Sequence, residues 1–247
     1  MRLTLPRSWR RCAAMRFQTF YEGRHFLLPS LMVAIFGWWL AGDWGGWLWI
    51  AIPATLVFVF CANFFRDPDR HIPPGAELVV AAADGVVDAI EIADETEVLK
   101  RPCRRVSIFL NVFDVHVNRA PIAGRVTFMQ HHPGTYLDAR DPYCHQKNEA
   151  LTWAFAGERA TLVVRQITGA IARRIVPWSR LGEAVEKGHR FGMIRFGSRT
   201  DIFLPLEAEI LVKLGDRVEG GASVVARLPT RDAGKVAPAA TPAILPT

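Results

Sequence analysis

Cysteine is sparse in this chain of 247 residues: Cys12, Cys61, Cys103 and Cys144 stand apart, with no Cys-x-x-Cys pair. That spacing argues against a zinc site or a disulfide framework and fits a reducing compartment. The adjacent histidines His131 and His132 would point to opposite sides of a strand, a poor arrangement for a metal, and read as the approach to a turn at Pro133-Gly134. No Gly-x-Ser-x-Gly elbow is present; Ser198 is followed by Arg199 and Thr200, which speaks against a serine hydrolase of that type. Acids are nearly missing from residues 1–25, where Glu22 faces Arg2, Arg7, Arg10, Arg11, Arg16 and Arg24. Helical periodicity is scarce beyond residue 73; Leu151–Phe155 and Ser179–Lys187 are the short candidates.

What is present begins with charge. A formal +6 and a pI near 9.5 suggest an acidic partner: nucleic acid, an anionic membrane face or a phosphate-bearing substrate. Two apolar runs, Phe26–Ala41 and Trp47–Phe65, flank a break at Gly42–Gly46, and Trp38, Trp39, Trp44, Trp47 and Trp49 crowd this span. A bilayer crossing needs about 20 apolar residues, and tryptophan favours the interface. Arginines flank both outer ends, while the break holds only Asp43. The pattern predicts a membrane helical hairpin over 26–65 with both ends cytoplasmic, preceded by a basic N-terminus over 1–25. A cleaved signal peptide fits less well, because a second apolar run follows directly. Buried soluble helices and a shallow re-entrant hairpin stay open.

From Pro73 onward, short apolar runs alternate with Gly, Pro and Asp; Leu78–Val80, Val106–Leu110, Val126–Met129 and Thr161–Val164 read as strands. Val212-Lys213-Leu214-Gly215-Asp216-Arg217-Val218 and the residues after it resemble a strand–turn–strand unit of a lipoyl-type flattened barrel. Ala83-Asp84-Gly85-Val86-Val87 looks like a second such unit. Neither presents the exposed lysine of a lipoyl or biotin carrier. The fold class expected is mainly β, a lipoyl-like barrel-sandwich core with a few short helices, over 66–230. The Ala-, Pro- and Thr-rich tail 231–247 reads as disordered.

Three places suggest chemistry. Gly197-Ser198 lies between the strand-like Met193–Phe196 and Asp201–Leu204. A bent glycine peptide followed by a hydroxyl nucleophile permits attack by serine on the preceding carbonyl. The plainer reading is a turn. Asp84 reads either as an Asp-Gly turn residue or as a buried acid. In Phe113–Asn118, Asp114, His116 and Asn118 alternate with Phe113, Val115 and Val117, which would aim the histidine into a cleft beside an acid.

Taken in order, Phe65-Arg66-Asp67-Pro68, Ala83-Asp84-Gly85, Asp114-Val115-His116-Val117-Asn118-Arg119, His132-Pro133-Gly134, Asn148-Glu149, Gln166–Ile175 and Gly192–Ser198 resemble the phosphatidylserine decarboxylase family, most closely its short membrane-hairpin form. The resemblance spans about residues 20–228 and rests on the ordered set of motifs. It implies an inactive proenzyme in which Ser198 attacks the Gly197 carbonyl. Elimination and hydrolysis then leave a β chain, 1–197, and an α chain, 198–247, headed by a pyruvoyl cofactor. That group would form a Schiff base with phosphatidylserine, take up the charge left by CO2 loss and release phosphatidylethanolamine. The resemblance further implies Asp84 and His116 as acid and histidine partners of Ser198. Arg119 stands where longer family members carry a second histidine, so the division of roles for His116 between self-cleavage and decarboxylation stays open. Arg173 and Arg174 are candidates for the lipid phosphate, or are simply exposed strand charges. The implied partners are the membrane lipid and the two chains themselves, at the inner membrane with the catalytic domain cytoplasmic. Neither nucleic acid nor a metal is expected, and a higher oligomer stays open. The alternative from another class is a non-enzymatic membrane adaptor built on a lipoyl-like barrel. An adaptor of that kind usually needs a long soluble helical hairpin and leaves Gly197-Ser198 without a purpose.

Overall fold

The computed structural model describes residues 18–42, 44–141, 143–170, 174–195 and 197–229. The basic residues before Gln18, Arg173 and the tail 231–247 lie outside the described residues.

Two helices come first, α1 over Gln18–Ala41 and α2 over Leu48–Phe64, joined through a 3-10 turn at Gly45–Trp47. α1 begins ahead of the expected apolar run and so carries Glu22 and Arg24 in its first turns. Leu, Ile, Phe, Trp and Ala fill both helices without a polar stripe. α1, and α2 taken together with the 3-10 turn before it as Gly45–Phe64, are long and apolar enough to cross a membrane. Met32, Ile35, Trp39 and Leu56 are exposed on their flanks, and Trp49 is 86% exposed. So continuous an apolar surface is unfavourable in water and points to membrane association. The helices approach closely where Gly37 meets the Ala51 backbone, and Trp38 Nε1 donates to Thr55 Oγ1 at 3.0 Å. Small residues and an interhelical hydrogen bond suit pairing in lipid, where apolar contact alone drives nothing together.

The remainder is mainly β. Its elements are β1 Leu78–Val80, β2 Gly85–Glu95, β3 Arg101–Leu110, β4 Val117–Arg119, β5 Gly124–His132, α3 Cys144–Lys147, β6 Ala150–Ala156, β7 Thr161–Thr168, β8 Ile175–Pro177, β9 Ala184–Val185, β10 Arg190–Ile194, β11 Ser198–Leu204, β12 Glu209–Ile210, β13 Arg217–Val218 and β14 Val224–Arg227. The large curled sheet has the order β13-β2-β3-β11-β7-β6-β5-β9, and two small sheets run β1-β14-β12 and β4-β10-β8. Val106, Ile108, Trp153, Phe155, Phe191 and Ile202 belong to the core that the sheets enclose. The two lipoyl-like units meet each other: Arg217 pairs with Val86 and Val218 with Gly85. Their pairing places β13 at one end of the large sheet.

Two expected short helices are corrected. Leu151–Phe155 lies inside β6, and the segment 179–187 forms a turn followed by β9. In β6, Leu151, Trp153 and Phe155 face the main core while Ala154 faces a second apolar cluster with Cys103, Val163 and Phe203. A strand buried on both faces loses the alternation that would distinguish it from a helix. The segment after Ser179 turns at Gly182, whose N–H is bound by the Val126 carbonyl at 2.7 Å.

Candidate active site

β10 and β11 are separated by residues 195–197, and Ser198 is the first residue of β11. That strand occupies the middle of the large sheet, with Ser198 opposite Leu110 of β3 and Thr168 of β7. Gly197 has φ +71°, a left-handed conformation that costs an L side chain and suits glycine. Its N–H donates to His116 Nε2 at 3.1 Å. The other ring nitrogen, Nδ1, lies 2.9 Å from the Asp114 carbonyl oxygen. A backbone N–H only donates and a carbonyl only accepts, so the imidazole is neutral with its proton on Nδ1. His116 is completely buried, and the Phe64 ring lies over it with centroids 4.2 Å apart. Burial pushes its pKa down to about 4, helped by the nearby Arg66 guanidinium and opposed by the Asp114 hydrogen bond. Ser198 is equally buried, and its Oγ has no hydrogen-bond partner among the described residues. An unpartnered buried hydroxyl costs stability, and such costs gather at functional sites.

Asp84 is not brought to the imidazole. One carboxylate oxygen receives Arg70 at 2.5 Å, and the other receives the Gly220 N–H at 2.8 Å. Burial raises the pKa of Asp84, against the lowering effect of Arg70 and Gly220. The carboxylate of Asp114 is also turned away, accepting from the Asn111 N–H at 2.9 Å and pairing with Arg217. An acid thus stands beside the histidine as expected, but it contributes its backbone carbonyl. Arg119 is buried and pairs with Asp67 at 2.8 Å, and Asp67 also holds Arg190. Burial first, and Arg190 second, lower the pKa of Arg119 to about 10, with Asp67 opposing, so it stays charged at neutral pH. Asp67 offsets two buried guanidinium groups that would otherwise repel each other.

The interior face of β11 is fixed by a chain of side chains. Trp153 Nε1 donates to Gln166 Oε1 at 2.7 Å, Gln166 Nε2 to Asn118 Oδ1 at 2.7 Å, and Asn118 Nδ2 to Thr200 Oγ1 at 3.2 Å. On the opposite face Arg199 pairs with Asp88 at 3.1 Å and lies 3.3 Å from Asp201. Gly169 stands against the 197–198 bond itself. A Cβ there would lie 2.5 Å from the Gly197 carbonyl oxygen. Of the basic candidates, Arg174 is exposed, and its carbonyl accepts the Arg195 N–H at 3.1 Å; Arg173 is outside the described residues. Phe64, Asp67, Gly169 and Glu22, which pairs with Arg195, are additions that residue type alone did not reveal. Asp67 carried a faint signal as an acid set among Arg66, Asp69 and Arg70.

A sequence model of the family described as phosphatidylserine decarboxylase matches residues 57–226. The phosphatidylserine decarboxylase proenzyme of Syntrophus aciditrophicus is 44% identical over 176 residues, covering 71% of this chain and 83% of that protein. The protein of the same name from Solibacter usitatus is 44% identical over 205 residues, 83% of this chain and 94% of its own. That from Symbiobacterium thermophilum is 41% identical over 204 residues, 82% of this chain and 91% of its own.

Proposed function

Since this chain belongs to the phosphatidylserine decarboxylase family, we propose that it is a self-processing proenzyme that converts phosphatidylserine to phosphatidylethanolamine. The observation that carries this reading is a left-handed Gly197 bound to a neutral buried histidine, followed by a serine whose hydroxyl has no partner among the described residues. His116 Nε2 accepts the N–H of Gly197, the residue whose carbonyl is attacked, and is the proposed base. Ser198 Oγ attacks the Gly197 carbonyl carbon, its proton passes to a base, and the peptide nitrogen leaves with a proton, giving an ester. β-Elimination then releases Gly197 as a carboxylate and leaves a dehydroalanine at 198. Hydrolysis of its imine tautomer frees ammonia and leaves the pyruvoyl group. The fit to such a group rests on Ser198: the site supplies a serine at the point of cleavage, buried away from water, with an unoccupied hydroxyl. The carbonyl of that group supplies the electron sink for loss of CO2.

The chain's own residues do the rest. β3 and β7 hold position 198 in place, and Phe64 keeps water from His116. Asp84 is the proposed acid, acting from the cluster with Arg70 and the Gly220 N–H. Arg174, with Arg173, is proposed to meet the lipid phosphate. The β and α chains stay together as a heterodimer. The hairpin lies in the inner membrane with both ends cytoplasmic, which puts the site on the leaflet surface where an anionic lipid presents its headgroup.

Denaturing electrophoresis with intact mass tests the reading. Active protein is expected as two fragments, the smaller starting at position 198, blocked to Edman sequencing and lacking the serine amine. Active protein in a single intact chain overturns it.

Gly169 supplies a second test. With alanine there, the new methyl group would overlap the Gly197 oxygen. Displacing a reacting carbonyl by a fraction of an ångström is expected to slow self-cleavage roughly 10- to 100-fold. A time course of Gly169→Ala on gels reads this directly; wild-type cleavage would remove Gly169 from the site.

A further inference from the structure

The helical pair does more than sit beside the catalytic domain. Its lower end is built into the strand that runs up to the scissile bond. Phe64 and Phe65 pack with Val176 of β8 and Met193 of β10, with Trp178 against them. Phe26 of α1 lies over Phe65 with ring centroids 6.3 Å apart. Above this apolar seam, Glu22 of α1 forms an ion pair with Arg195, whose guanidinium also donates to the Glu22 carbonyl at 3.2 Å. The two side chains are only 18% and 14% exposed. Arg195 lies two residues before Gly197, and its own N–H is fixed by the Arg174 carbonyl at 3.1 Å.

A membrane anchor by itself needs none of this. An anchor requires length and apolar surface, which α1 and α2 already have. Glu22, in the polar first turns of α1, is largely buried and paired across 173 residues of sequence with Arg195, which gives it a different use. We infer that Glu22 is a positioning residue for self-cleavage: through Arg195 it holds the segment entering the 197–198 bond, so that the proenzyme matures only with α1 docked on the β domain. This rests on the self-processing reading above and adds to it a requirement for the membrane helices in maturation.

The test uses the full chain synthesised in the presence of phosphatidylcholine vesicles containing phosphatidylglycerol, with cleavage followed on gels. Glu22→Gln keeps the shape and removes the charge. It is expected to slow cleavage about 100-fold, as loss of orientation does at a reacting centre. The reversed pair, Glu22→Arg with Arg195→Glu, is expected to regain most of the rate. Decarboxylation per cleaved chain should stay near wild type in all forms, since after the cut Arg195 is no longer joined to position 198, which β3 and β7 hold. A purely structural role would depress that ratio too. Wild-type cleavage in Glu22→Gln, or a reversed pair no faster than Glu22→Gln, overturns the inference. Failure of the unaltered chain to cut between Gly197 and Ser198 would instead sink the self-processing reading, so the two failures are distinct.

Discussion

Replacing Ser198 by alanine is expected to leave one uncut chain with no measurable decarboxylation, a fall on the order of 10⁴-fold or more, as when an essential nucleophile is deleted. Alanine has neither the oxygen that attacks the Gly197 carbonyl nor the leaving group that elimination requires. Folding should not suffer. Ser198 Oγ is buried and makes no hydrogen bond among the described residues, so removing it relieves an unpartnered polar atom worth about 1 kcal/mol or more. Ser198→Ala should therefore melt at or above the temperature of an uncut wild-type chain, which separates lost chemistry from lost structure. Ser198→Cys keeps a nucleophile and a leaving group and should cut partially. Decarboxylation by uncut Ser198→Ala would refute the origin of the cofactor at this position.

His116 should show the second large effect. Alanine there removes the proposed base and leaves the Gly197 N–H and the Asp114 carbonyl without their His116 partner. Self-cleavage is expected to fall about 10²- to 10⁴-fold, the usual worth of a positioned base. The folded pKa of about 4 lies below the ordinary 6.5 of histidine. The unfolded chain therefore binds the extra proton first as pH falls. The stability tied to neutral His116 is complete above about pH 6.5, declines between 6.5 and 4, and is gone below both values. The difference amounts to about 3 kcal/mol. In a Ser198→Ala background, which stays uncut, His116→Phe should lose less stability than its parent over that window. Cleavage by wild type should stay level down to about pH 5 and drop near 4. An inflection near 6.5 would mean the imidazole is not shielded as described.

Much of this was legible in the residues, for physical reasons. A run such as Trp47–Phe65 has few fates other than lipid or deep burial, and it forms α2 with its flanks exposed. Gly197 announces a backbone that other residues avoid, and the structure gives it φ +71°. The Asp-Gly and Gly-Asp stretches read as strand–turn–strand units of a lipoyl-type barrel, and they pair with each other. What stayed hidden depends on contacts between distant segments. Glu22 and Arg195 are unremarkable charges until the fold brings them together. Phe64 reads as one more apolar residue of a helix, although its ring covers His116. Asp84 matched an acid expected beside the histidine, yet Arg70 and Gly220 hold its carboxylate. Leu151–Phe155 reads as a short helix because the strand it forms is packed on both sides and so lacks alternation.

The location of Ser198 at the start of β11 has one more consequence. Cutting the chain there opens no gap at a rim. Residues 198–204 remain zipped to β3 along their length, and residues 198–203 to β7. Downstream, β13 clasps β2 and β14 clasps β1. The smaller fragment of the proposed cut would thus stay woven through the larger one, and pulling it out would require breaking these pairings. The severed halves should therefore separate only under denaturant and should not exchange with fragments of another molecule. On the self-processing reading, maturation would in that sense be a one-way door: the pieces would come apart only by ceasing to be folded.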